Sequence, residues 1–191
     1  MKMDRRARYT RMVLKQSLLS LMKERPITKI SVKELCEKAD VNRTTFYAHY
    51  TDINELLQQI ESELMERIKN SLSSGLGGDS VSSMLMDILL AIKENGELCT
   101  ILFSDYGDKD FMERILLLAR EKSIEQWKKT NPEIETSAME KLYTFFSYGS
   151  MAIIRDWVRD GMQENPSTIA LFLDRTCNPG LSTLEQQKSP E

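Results

Sequence analysis

The chain has 191 residues, 41% of them hydrophobic and 29% charged, which suits a soluble protein with one sizeable core or a small domain beside a larger one. Its longest apolar runs are four or five residues, as in "ILLLA" (115–119), and its start, "MKMDRRARYTR", has no apolar stretch leading to a small-residue cleavage site, so neither a membrane span nor a signal peptide is expected. The net charge of −3 is unevenly spread: residues 1–50 hold 12 basic and 5 acidic residues, while the other 141 hold 14 and 24, so a basic front suited to a polyanion, or a basic face that is merely solvated, precedes an acidic body.

Apolar spacing is helical nearly everywhere. Leu14, Leu18, Leu21 and Met22 predict an amphipathic helix over about 10–24, ended by Pro26. "SVKE" (31–34) has the form of a capping box, in which Ser31 accepts from the Glu34 N–H and Glu34 reaches back, and it opens a second helix over about 32–39. Asn42 is suited to cap a short third helix, about 43–49, and Asp52 with Glu55 opens a long fourth to about residue 72. The Gly/Ser stretch "SSGLGGDS" (73–80) is the clearest break in composition. Further helices are expected at about 80–94, 96–104, 108–130, 134–161 and 166–176, with breaks at Asn131-Pro132 and from Gly161 to Pro166. No stretch alternates with period two, so the expected class is all-α with about nine helices and no sheet. The expected division is a helix-turn-helix domain over 1–60, a ligand-binding and dimerisation domain over 61–177 and a disordered tail over 178–191. Cys36, Cys99 and Cys177 are odd in number and far apart, as for reduced thiols in the cytoplasm; no metal and no cofactor is expected.

Two short helices across a three- or four-residue turn, braced by a longer helix before them, form a helix-turn-helix, whose second helix enters the major groove by its amino-terminal part. Phe46 and Tyr50, four apart, can face inward with Val41, which leaves Arg43, Thr44, Tyr47 and His49 on outer faces. Arg43 is placed for a guanine edge or a phosphate. Thr44 and Thr45 can meet phosphate or thymine methyls, or simply occupy a first helical turn. Tyr47 offers a hydroxyl on a stiff arm, with packing on the first helix as its alternative. His49 is the single histidine of the chain and has no partner set for a metal. The helix start at Ser31 offers N–H groups to phosphate, and Lys29 and Lys33 flank it.

With these residues in place, "ITKISVKELCEKADVNRTTFYAHYTDINELL" (27–57) resembles the helix-turn-helix of the TetR/AcrR family of transcriptional regulators, the likeness covering about residues 8–60. The resemblance implies that Tyr47 and His49 touch phosphate and that Arg43, Thr44 and Thr45 lie in or beside the groove. One position departs: where the family often carries a lysine after Asp52, this chain has Ile53, which shifts backbone contact toward Lys29 or Lys33. More weakly, "FFSYGSMAIIRDWVRDGMQENPSTIALFL" (145–173) is similar to the closing helix pair of a small group of the family that includes a dihydroxyacetone-kinase activator. That likeness implies a homodimer through the last two helices.

The residues add their own support for a dimer. On the helix at 134–161, one apolar line is Leu142, Phe145, Phe146, Gly149, Ile153 and Trp157, and a second is Tyr143, Ser147, Ile154 and Val158. A helix apolar on two faces is buried on two sides, in a core and against a partner or wholly within one core. The expected interface is Gly149, Ile154, Val158, Ile169 and Phe172. A small-molecule effector pocket is expected among Met84, Phe103, Tyr106, Met112, Leu116, Trp127, Phe145 and Tyr148, since Met suits an adaptable apolar cavity; core filling is the competing account of the same residues. The expected function is a dimeric regulator of a palindromic double-stranded DNA operator, a repressor released by its effector, with no membrane partner. The alternative is a protein-binding coactivator on the same scaffold without an operator. An enzyme is not expected, because the chain has no G-x-S-x-G, phosphate loop or HExxH and its one histidine has no plausible cysteine partner.

Overall fold

A computed structural model describes residues 2–75 and 81–186, with side chains over 5–73, 82–108 and 110–177. These residues form nine α-helices and one short 3-10 turn, with no strand among them. The helices are α1 (Lys2–Met22), α2 (Val32–Ala39), α3 (Arg43–Tyr47), α4 (Ile53–Gly75), α5 (Val81–Glu94), α6 (Gly96–Leu102), α7 (Lys109–Thr130), α8 (Thr136–Arg159) and α9 (Pro166–Gln186). No helix among the described residues is long and apolar enough to cross a membrane.

The chain divides into two compact units, Met1–Leu64 with Glu97–Asp108 and Met65–Gly96 with Lys109–Glu191. The apolar stripe of α4 (Leu56, Ile60, Leu64, Ile68, all buried) runs on past residue 60 without interruption. Part of the Gly/Ser stretch (76–80) and the last five residues (187–191) lie outside the described residues.

In the first unit, Leu14, Leu18, Leu21 and Met22 of α1 are buried, as their spacing predicts, and α1 packs on α2. The helix starts at Lys2, well before residue 10, and ends before Pro26. Apolar periodicity marks only the turns that touch a core, whereas "KMDRRARYT" contains good helix formers and no breaker, so the solvated turns continue the helix unseen by that pattern. Leu35 and Cys36 anchor α2, and Leu98, Cys99, Ile101 and Leu102 of α6 are buried in the same unit. Burial pushes the Cys99 thiol up to about 12, as expected of a structural rather than reactive cysteine.

In the second unit, α5 packs on α9, α7 on α8, and α8 on α9. Tyr143 ties α8 to α7 by donating its hydroxyl to the Leu116 carbonyl at 2.6 Å, and it is buried with Ile124, Ile134 and Met139. The turn from α8 to α9 is closed by Trp157, whose indole N–H donates to the Glu164 carbonyl at 3.0 Å, and by left-handed backbone at Gly161 and Met162. Asn165 then caps α9, accepting from the Ser167 N–H at 3.0 Å, with Pro166 at the first helical position. Two expectations are corrected. The helix α9 does not stop near 176: its backbone runs through Asn178-Pro179-Gly180 to Gln186, so most of the expected disordered tail is helical. Proline removes one hydrogen bond and crowds one carbonyl, a local cost that the following turns can span.

The second concerns the expected interface residues of α8, which divide between the inside and the surface of the protomer. Ile154 and Val158 are buried within the protomer (Ile154 is 8% exposed), and so is Ile169 of α9, whereas Phe145, Gly149 and Ile153 of the other line are exposed, although Trp157 of that line is buried. Spacing shows that two faces are apolar but not which one the neighbouring helices cover. Ile154→Ala should therefore destabilise the folded chain by about 2–5 kcal/mol in a denaturant melt; a loss below about 0.5 kcal/mol, as for a surface site, would contradict its burial.

Candidate nucleic-acid interface

The helix α3 is five residues long and too short to be stable alone. Its conformation is imposed from both ends and from beneath. Beneath, Phe46 is fully buried and sits 5.7 Å, centroid to centroid, from the buried Tyr50 ring and 5.4 Å edge-on from Tyr47. Before it, α2 ends at Asp40 in left-handed backbone (φ 52°, ψ 45°), and the Val41 N–H returns to the Cys36 carbonyl at 3.0 Å, which turns the chain within three residues. Asn42 then caps α3: its side-chain oxygen accepts from the Thr44 N–H at 2.9 Å, and its carbonyl accepts from Thr45 and Phe46.

After α3, Thr51 and Asp52 set the start of α4. The Glu55 carboxylate accepts from the Thr51 N–H at 2.6 Å and from its hydroxyl at 2.7 Å, while Asp52 accepts from the Glu55 N–H at 2.9 Å. The two Thr51 hydrogen bonds hold the Glu55 carboxyl below its ordinary value of 4.5. The Asp52–Glu55 cap was legible in the sequence, whereas the part played by Thr51 was missed; its signal is a hydroxyl residue just before a capping box.

The expected DNA-facing residues are presented to solvent as follows. Arg43, Thr44 and Thr45 are exposed on the first turn of α3, Tyr47 is 57% exposed at its end, and His49 is half-buried with its ring 6.2 Å from that of Tyr50. Ser31 is exposed and accepts from the Glu34 N–H at 3.2 Å, which leaves its hydroxyl proton available to a phosphate. The reciprocal half of that capping box is not made: the Glu34 carboxylate pairs with Arg25, a charged partner that outcompetes the Ser31 backbone. Lys29 and Arg43 are exposed and make no ion pair among the described residues, while Lys33 lies 3.9 Å from Glu37 one turn on. Ile53 is buried, so the position that often carries a lysine serves the core here and offers nothing to a backbone.

The expected effector residues are divided between the two units. Phe103 and Tyr106 fall in the first unit and the other six in the second. Phe145 is 74% and Tyr148 61% exposed, Tyr106 is also exposed, Met84 is buried, and Phe103, Met112, Leu116 and Trp127 are half-buried. Trp127 packs on the core around Tyr143, its ring 6.4 Å away, and the Leu116 carbonyl is held by the Tyr143 hydroxyl, so these two serve the α7–α8 contact. Two grooves described on the second unit, of about 400 Å³ and 340 Å³, are lined by none of the eight. Of the expected interface, Gly149 and Phe172 (55% exposed) lie at the surface, and Ile154, Val158 and Ile169 do not. The exposed apolar residues of α8 and α9 are instead Phe145, Tyr148, Ile153, Leu171 and Phe172.

Comparison with known proteins places this geometry. Residues 17–60 match the model of the bacterial regulatory proteins of the tetR family, and residues 79–179, more than half of the chain, match that of a transcriptional regulator C-terminal region. A curated relative, the uncharacterized HTH-type transcriptional regulator YxbF of Bacillus subtilis, is 34% identical over 59 residues, 31% of this chain but 16% of its own length. Among solved structures, a TetR transcriptional regulator from Streptococcus agalactiae superposes with a TM-score of 0.65 at 21% identity, covering 93% of this chain and 98% of its own. NalD, the secondary repressor of the MexAB-OprM multidrug efflux pump in Pseudomonas aeruginosa, gives 0.65 at 18% identity over 90% and 96% of the two chains. The dihydroxyacetone kinase operon activator DhaS gives 0.60 at 20% identity over 91% and 97%. At these identities the structural likeness concerns the fold.

Because the Glu55 carboxylate is held by bonds made only in the folded chain, its lowered value contributes stability above the ordinary 4.5, and that contribution fades as the pH falls through the lowered value. The gap in melting temperature between the wild-type chain and Glu55→Ala should therefore be full at neutral pH and close below that window; a gap that stays constant with pH would show that the carboxylate charge does not carry the cap.

Proposed function

The chain belongs to the TetR family of bacterial transcriptional regulators, and from that premise we propose that it is a dimeric, sequence-specific binder of a palindromic DNA operator, acting in the cytoplasm as a repressor that a small effector releases. The observation that carries the reading is α3. A helix too short to serve a core by itself is fixed by Phe46 and capped by Asn42, so that Arg43, Thr44 and Thr45 stand exposed on its first turn, the part that enters a major groove. Arg43 reads a guanine edge, the threonines take phosphate or thymine methyls, and Tyr47, His49, Ser31 and Lys29 hold the phosphate backbone. Lys33, partly drawn to Glu37, is the weaker of the two flanking lysines. A protein-binding coactivator would leave this exposed set without a task.

The dimer is supported by the outward faces of α8 and α9. Five large apolar side chains are exposed there, on two helices that pack on each other. A Cβ added at Gly149 would meet nothing within 4 Å, so the backbone of α8 is open to close approach at that point. Apolar patches of this kind mark interfaces, and a two-fold pair of such chains sets two recognition helices about one DNA turn apart, roughly 34–36 Å. Repression needs no further surface, since a bound dimer excludes other proteins from its operator. NalD is a repressor and DhaS an operon activator, so the fold serves regulation in both directions.

Release by an effector rests on the family and on the half-buried methionines Met86, Met112 and Met151 of the second unit, side chains soft enough to open around an apolar ligand. Such a ligand needs to favour the non-binding arrangement by only a few kcal/mol. A thermal-shift screen of small apolar molecules tests this part; a screen without a hit would leave a DNA-binding regulator with no effector. Selection of bound fragments from the source genome tests the whole, and it fails if no fragment binds better than random duplex.

Tyr47→Ala should weaken binding to every duplex alike. Arg43→Ala should also relax base preference, by about 1–3 kcal/mol at the position it reads. Equal loss on all operator variants would make Arg43 a phosphate contact. Phe145→Asp should give a folded monomer by sedimentation with impaired operator binding, and an unchanged dimer would remove Phe145 from the interface.

A further inference from the structure

Residues 1–11 carry five of the 12 basic residues found in the first fifty, Lys2 and four arginines, with a single acidic residue, Asp4, among them. Nothing in the assignment of α3 uses them. The chain is helical from Lys2, so these arginines ride on a rod continuous with the buried half of α1. Arg5, Arg8 and Arg11 recur every third residue, with Lys15 four further on, a spacing that sets them along one side of the helix. Tyr9 and Met12 are exposed beside that line.

Several of these charges are also unmatched. Most of the other cations of the unit meet a carboxylate: Lys15 at 3.0 Å from Glu63, Lys23 at 2.7 Å from Glu97, Arg25 on Glu34 and Lys33 near Glu37. Arg5, Arg6 and Arg11 are exposed and make no ion pair among the described residues. A cluster left so is repelled by itself and attracts a polyanion.

Its place in the fold says which polyanion contact. Arg8, Arg11 and Lys15 line a groove of about 310 Å³ together with Tyr50 and Leu56, the residues that close the helix-turn-helix and open α4. The Arg11 charge acts on the Tyr50 phenol, opposing the larger upward push of burial. Tyr50 adjoins His49 and lies three residues beyond Tyr47, the expected phosphate contacts. The arginine line therefore begins beside the end of α3 and extends from it along α1.

We propose that the first turns of α1 form a second phosphate-binding line, in which Arg5 and Arg11 hold the DNA backbone beyond the phosphates met by Tyr47 and His49. The proposal rests on the DNA-binding reading above. It supplies charge on a recognition unit that has an isoleucine where a supporting lysine is often found. The contacts are with phosphate, so they raise affinity and its salt dependence for every sequence and leave base preference alone.

The test uses the full chain and two duplexes of about 30 base pairs, one random and one selected from genomic fragments by the wild-type chain. In the double variant Arg5→Ala/Arg11→Ala, the slope of log affinity against log salt should shrink by about 2, near 0.9 for each phosphate no longer neutralised. Affinity for both duplexes should fall by the same factor, with the melting temperature unchanged because both side chains are exposed. Arg5→Lys/Arg11→Lys should restore most of the slope. A wild-type slope in the alanine variant would overturn the α1 line alone, and a changed ratio between the two duplexes would overturn its assignment to phosphate. Failure of the wild-type chain to bind either duplex would overturn the DNA-binding reading and this proposal with it.

Discussion

What α3 presents to a partner follows from the burial of Phe46. A helix of five residues does not repay its own nucleation, and the caps at either end only satisfy backbone groups that would otherwise be exposed. What fixes α3 in one orientation is a ring removed fully from water, worth about 1.5–3 kcal/mol, and braced by Tyr50. The exposed neighbours are then set by helical geometry. With Phe46 pointing inward, Arg43, Thr44, Thr45 and Tyr47 lie on the remaining faces. The sharp turn at Asp40 and the cap at Asn42 set where the helix starts, and the Thr51–Asp52–Glu55 cluster sets where the next begins.

The second unit contains a helix with large apolar residues on two faces. One face of α8, with Met139, Tyr143, Ile154 and Val158, is buried within the protomer. The other holds Phe145, Tyr148 and Ile153 in solvent, and Leu171 and Phe172 of α9 are exposed as well. Aromatic and aliphatic side chains of this size are the exposed apolar groups on which the proposed dimer rests. The same exposure places Phe145 and Tyr148, expected to line a pocket, at the surface of the protomer.

Charge follows a similar logic. Both units hold surface ion pairs, such as Lys15–Glu63 in the first and Arg67–Glu94 and Arg120–Glu140 in the second, each worth little in water. Their value here is as contrast. Where cations are balanced by nearby carboxylates, little long-range field results; where Arg5, Arg11, Lys29 and Arg43 make no ion pair among the described residues, a positive potential remains.

The all-helical class, the positions of the caps and the inward face of α3 were legible in the amino-acid order alone. They rest on interactions within a few residues: the i, i+4 burial of Leu14 and Leu18, the Asn42 and Asp52 caps, and the inward Phe46 and Tyr50. The two apolar faces of α8 were legible as well. Which of those faces is covered required the folded chain, because it depends on where α7 and α9 lie, and periodicity carries no information about neighbours distant in the chain. For the same reason the start of α1 and the end of α9 were read too short. Solvated turns and a helix continuing past Pro179 leave no apolar repeat to follow, and the length of each helix is settled by backbone hydrogen bonds that hydrophobic spacing does not report.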